Sequence, residues 1–201
     1  MANSRYDWKR FWCPPAGRVN LSDNGFLVDP DAQYGSALNP DVVSWDKISP
    51  TACLILLGEP GIGKTTALRD EFELTAATAA HTGDQVVWVD LRSYQTDQRL
   101  HEHVFESSAL ESWKAGTCGL HLFFDSMDEA LMGFNNVGPV LLREFKDLPV
   151  SRLNVRLACR TADWPGGVEG EFGQLWGTNL LGLYELAPLC RFRRRKSLIP
   201  N

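Results

Sequence analysis

The 201-residue sequence has no C-x-x-C pair, no apolar run of membrane-spanning length, and no excess of positive charge outside one short stretch. Its five cysteines, Cys13, Cys53, Cys118, Cys159 and Cys190, are odd in number and widely spaced. Neither a zinc site nor a disulfide framework is indicated. Residues 1–8 carry no apolar signal-peptide core, so the expected setting is a reducing cytoplasm without a membrane partner. Basic side chains number twenty against twenty-five acidic, for a net charge of −5. Five of the twenty are Arg191, Arg193, Arg194, Arg195 and Lys196, so fifteen remain in an acidic body. That balance speaks against a broad nucleic-acid-binding face. Internal repeats are missing, as is the N-K-x-D motif with which a guanine base would be read.

The composition, 44% hydrophobic and 22% charged, suits one globular domain with an N-terminal extension. Residues 1–49 read as irregular, because Pro14-Pro15, Asp23-Asn24-Gly25, Asp29-Pro30-Asp31 and Asn39-Pro40-Asp41 are turn chemistry. The same segment carries Trp8, Phe11, Trp12, Phe26, Leu27 and Trp45, more large apolar side chains than a disordered linker holds. It is expected to pack on the core by its rings, with a share in an adenine pocket as the alternative.

Regular patterning begins at residue 50. Apolar runs at 53–57, 85–90, 119–124, 154–159 and 180–186 predict five strands. Stretches 65–80, 96–108 and 140–147 predict helices between them. Continuous apolar strands alternating with helices predict an α/β fold with a parallel sheet covered on both faces. Cys53 and Cys159 fall inside strands, where a thiol behaves as a small hydrophobe.

The first strand runs directly into Gly58-Glu59-Pro60-Gly61-Ile62-Gly63-Lys64-Thr65-Thr66. This G-x-x-x-x-G-K-T pattern, between a strand and a helix, is a phosphate-cradling loop rather than an ordinary glycine-rich turn. Its glycines let backbone N–H groups turn inward, toward the positive end of the following helix. Lys64 is expected on the β- and γ-phosphates, and the Thr65 hydroxyl on Mg²⁺. Leu122-Phe123-Phe124-Asp125 supplies a carboxylate at a strand end to complete the Mg²⁺ shell. Asp128 or Glu129, just beyond, is placed to orient an attacking water; the alternative for both is a helix cap or a solvent-facing pair. Arg160 follows the fourth strand and would reach the γ-phosphate if that strand lies between the other two; the alternative is a surface pair with Asp163. Arg92 is expected in helix contacts. His101 and His103 could ligate a metal, but no third ligand is in view, and a polar helix face is the preferred reading.

The set of residues 58–65, the hhhD-x-x-DE pattern of residues 122–129, Arg160-Thr161 and Tyr184-Glu185-Leu186-Ala187-Pro188-Leu189 resembles the NACHT branch of the STAND nucleoside triphosphatases, over roughly residues 50–190. Ser126 stands where glycine is common in that family. The resemblance implies a three-layer α/β sandwich of the P-loop type with extra strands between the two motif strands. It implies ATP and Mg²⁺ as ligands, slow hydrolysis, and ATP/ADP-gated homo-oligomer assembly through this domain in signalling or antiphage defence. Catalytic roles would fall on Lys64, Asp128, Glu129 and Arg160. Residues 58–66 would bind nucleotide, and Thr65 and Asp125 the metal.

Three segments are therefore expected: an aromatic-rich arm (1–49), the nucleotide-binding core (50–189) and a disordered basic tail (190–201). Family members continue into a helical lid, so the abrupt change of composition at the tail reads as a truncation or an altered reading frame, against a genuinely short protein. A motor ATPase of the AAA+ or RecA-like kind, or a nucleotide-holding fragment that does not cycle, are the competing functions.

Overall fold

A computed structural model describes residues 9–22, 24–131 and 137–188. Trp8, Cys190 and the basic tail lie outside the described residues. The strands are β1 (Phe11–Cys13), β2 (Val43–Ser44), β3 (Cys53–Leu57), β4 (Gln85–Asp90), β5 (Leu120–Asp125), β6 (Leu153–Cys159) and β7 (Leu181–Leu186). They form one seven-stranded sheet in the order β2-β1-β7-β3-β6-β5-β4. The run β7-β3-β6-β5-β4 is parallel throughout. β3 is buried at all five positions, as a central parallel strand covered on both faces must be.

The helices are α1 (Gly35–Leu38), α2 (Trp45–Ile48), α3 (Lys64–Thr82), α4 (Asp97–Leu100), α5 (Ser108–Ala115), α6 (Met127–Ala130), α7 (Val137–Lys146) and α8 (Val168–Trp176). α3 covers one face of the sheet: Leu68 and Phe72 meet Leu54, Leu56, Phe123 and Trp88. The opposite face is larger and is covered by α5, α7 and α8 through Trp113, Leu141, Phe145, Phe172 and Trp176. Each such fully buried side chain contributes about 1.5–3 kcal/mol. The protein is thus α/β, with a mostly parallel mixed sheet between helices.

The irregular reading of residues 1–49 is corrected. Phe11, Trp12 and Cys13 form β1, antiparallel to β7, with Trp12 opposite Leu186 and Cys13 opposite Glu185. β2 extends the edge, so the sheet is mixed rather than parallel. An unpaired β7 would leave a row of open backbone groups, and the arm covers them. Trp12 is fully buried and meets Trp45 edge-on at 5.6 Å. Phe11 and Leu27 are buried too, whereas Phe26 is 37% exposed.

The predicted helix 96–108 consists of α4 and a π-helical turn (His101–Phe105) and ends there, while α5 begins at its last residue and was not expected. Ser107 causes the break: its hydroxyl donates to Val104 O at 2.7 Å and accepts from Leu110 N at 3.3 Å, capping a new helix. α8 has no counterpart in the sequence reading. Its Gly170 and Gly173 lower helix propensity, but Phe172 and Trp176 are buried and Trp176 Nε1 donates to Leu153 O at 3.1 Å. Among the described residues no helix is long and apolar enough to cross a membrane.

Candidate functional site

β3 ends at Leu57, and the chain turns through residues 58–63 into α3. Gly61 and Gly63 take φ of +75° and +105°, a region that side chains with a Cβ rarely adopt. Gly63 is the N-cap of α3, and the first intrahelical bond runs from Ala67 N to Gly63 O at 3.0 Å. The N–H groups of Lys64, Thr65 and Thr66 therefore have no acceptor within the helix and are available to an anion. The Lys64 ammonium donates to Gly58 O at 2.5 Å and Glu59 O at 3.1 Å. Burial lowers its pKa, with Asp128 acting in the opposite sense.

Asp125 is the last residue of β5 and only 3% exposed. It accepts from the Thr65 hydroxyl at 3.1 Å. Burial raises its pKa, while the bonds from Thr65 and from Ser126 N–H act against that rise. The chain leaves β5 through Ser126, which takes φ +61° in the left-handed region. That geometry explains why glycine suits this position. α6 then begins, with Asp128 and Glu129 in its first turn.

β6 lies between β3 and β5, so Arg160, directly after it, stands between the loop and the acidic strand end. Its Nε pairs with Asp128 Oδ2 at 2.6 Å, not with Asp163. Arg92, expected in helix contacts, pairs with Asp90 at 2.8 Å at the tip of β4, in a short helical turn that packs against α6.

These residues wall a cleft of about 320 Å³ at the carboxyl ends of β3, β5 and β6. Pro60, Gly61, Gly63, Lys64, Thr65, Thr66, Asp125, Asp128, Glu129 and Arg160 all line it. Gly58, Glu59 and Ile62 are not on its wall. The first two lend their carbonyls to Lys64, and Ile62 packs against the α3-side core. Ser126 and Ala158 complete the lining and were not anticipated. Ser126 lay within the acidic motif, but nothing in the apolar run around Ala158 signals contact with a cleft. Crevices outside the carboxyl ends of strands are where parallel α/β sheets bind ligands.

A second cleft of about 400 Å³ lies under α3 around Glu71, Asp84, His121 and Arg156. Its one guanidinium is spent on the fold. Arg156 Nη1 donates to Thr51, Ala52 and Val155 carbonyls at 2.9, 3.1 and 3.0 Å, and Nη2 to Ser49 O at 2.7 Å. The first cleft is the better functional candidate, because Lys64, Glu129, Arg160 and the N-terminal turn of α3 all line it.

The paired oxygens of Thr65 and Asp125 are a hard donor set. Among the described residues, no three or more His, Cys, Asp or Glu side chains are grouped to hold a metal by themselves. Such a site suits Mg²⁺, which keeps waters and shares substrate phosphates. His101 is engaged elsewhere: its ring pairs with Glu144 at 2.7 Å and Glu106 at 3.3 Å. No protein-family model and no curated protein matches the chain.

Proposed function

We propose that the cleft binds Mg-ATP, and that the chain is a slowly hydrolysing nucleotide switch domain of the P-loop NTPase type, NACHT-like within the STAND class. What supports the reading is one observation: Lys64 and Thr65, Asp125, and Arg160, from three distant stretches of the sequence, line a single cleft beside free helix N-terminal N–H groups. A polyphosphate is the anion that such a ring of donors suits.

In this reading the residue 58–66 loop grips the phosphates through backbone N–H groups, and Lys64 transfers its hydrogen bonds from the Gly58 and Glu59 carbonyls to phosphate oxygens. Thr65 and Asp125 hold Mg²⁺, which when bound offsets charge on the phosphates. Glu129 takes the proton of the water that bonds to the γ-phosphorus as the bond to ADP breaks. Arg160 reads the γ-phosphate. A signalling or antiphage defence role with homo-oligomer assembly follows from the family resemblance.

Calorimetric titration of the 201-residue chain with Mg-ATP, alongside phosphate release, tests this. Wild type is expected to bind, Lys64→Ala to lose at least about tenfold in affinity, and Glu129→Gln to bind but release no phosphate. Absence of binding by wild type would sink the nucleotide reading. Rapid turnover stimulated by DNA would replace it with a motor ATPase.

A further inference from the structure

Arg10 belongs to the arm, not to any motif, yet it lies on the phosphate loop. Its Nη1 donates to Ile62 O at 3.3 Å. A Cβ placed on Gly63 would come 2.7 Å from its Nη2 and 3.1 Å from its Cζ, so the guanidinium rests on the bare Cα of that glycine. The position is built in: Arg10 directly precedes β1, whose three residues are buried and two of which, Trp12 and Cys13, pair with β7, the neighbour of β3. Ala187 N also donates to Phe11 O at 2.9 Å.

The charge environment is unusual for this acidic chain. Lys9, one residue earlier, pairs with Asp29 and Asp31 at 3.2 and 3.0 Å. Arg10 is partly buried, and among the described residues no carboxylate pairs with it. A guanidinium with no carboxylate beside it keeps donors open to an anion. The loop beside it is the place where polyphosphate is expected.

We infer that Arg10 is a positioning residue of the nucleotide site, through which the N-terminal arm holds the Ile62–Gly63 peptide of the loop and adds positive charge beside the bound phosphates. The inference rests on the Mg-ATP reading above. It makes nucleotide affinity depend on the arm being docked on β7, so the arm and the site act as one unit.

The test is Mg-ATP titration of wild type, Lys64→Ala, Arg10→Gln and Arg10→Lys at several salt concentrations, with the melting temperature of each nucleotide-free protein. Arg10→Gln is expected to bind about tenfold more weakly than wild type, the cost of one charge-assisted contact. Its affinity should also vary less steeply with salt, because one cation near the phosphates is gone. Arg10→Lys keeps the charge and is expected to recover most of the loss. A purely structural role would lower the melting temperature and leave the salt slope unchanged, which would overturn the inference. Should Arg10→Gln melt early, Arg10→Lys decides: wild-type slope and affinity support the inference, and a wild-type melting temperature with weak binding at an unchanged slope refutes it. Arg10→Gln binding like wild type, with Lys64→Ala impaired, refutes the role of Arg10 and leaves the Mg-ATP reading intact. Wild type failing to bind removes both.

Discussion

Asp128 stands between two roles, base and counter-ion, and the geometry separates them. Its carboxylate is engaged by Arg160 at 2.6 Å and its side chain is only 9% exposed, whereas Glu129 is exposed and lines the cleft. A carboxylate so paired is held by the guanidinium rather than turned toward an attacking water. In the Mg-ATP reading, Asp128 instead competes with the γ-phosphate for Arg160. Asp128→Asn is then expected to raise the ratio of ATP to ADP affinity severalfold, measured by parallel titrations. If Asp128 were the water-orienting base, the same variant would lose phosphate release with both affinities unchanged. Cys159, next to Arg160, takes no part: burial pushes its thiol up to about 12, so it stays protonated and inert.

At the scale of elements, the strands were legible and the helices less so. The expected runs at 53–57 and 85–90 coincide with β3 and β4, those for β6 and β7 differ by a residue at one end, and that for β5 is shifted by one residue. Buried parallel strands announce themselves as unbroken apolar runs, so little beyond composition is needed. α8 was hidden because its packing, through Phe172 and Trp176, outweighs two interior glycines. β1 was hidden because three residues carry no periodicity, and only the open edge of β7 makes a strand of them. Trp12 is its anchor, fully buried against Trp45 and Leu186. Trp12→Ala is expected to destabilise the protein by about 3–5 kcal/mol in urea denaturation. An effect below about 1 kcal/mol would show that the arm is dispensable to the fold.

For the molecule as a whole, pH acts through two histidines of opposite sign. The bond to Glu144 raises the His101 pKa, with Glu106 adding to it and Arg143 also on Glu144. A raised folded-state pKa means stability that is fully present below the unfolded value of about 6.5 and is lost as pH climbs through the folded value. Burial lowers the pKa of His121, with Arg156 adding to the effect and Asp84 opposing it. There the unfolded chain takes up its proton first, and stability falls as pH drops below about 6.5. Removing one histidine isolates its sign. His101→Gln is expected to lower the melting temperature relative to wild type clearly at pH 5.5 and little at pH 8.5. An equal deficit at both values would show that the contact between the π-helical turn and α7 is uncharged.

By itself the sequence determined the strands of the parallel core, the turn at residues 58–65 and the carboxylates after Phe124, because each is written in local chemistry: unbroken apolar runs, glycines, a strand-terminal acid. Only the tertiary structure decided which ends meet. β6 falls between β3 and β5 because crossover helices must pack back on the sheet, a non-local constraint that no window of sequence contains. The same holds for the partner of Arg160, which is Asp128 across the cleft rather than Asp163 nearby in the chain. It holds again for Arg10, which reaches the loop only because β1 pairs with β7.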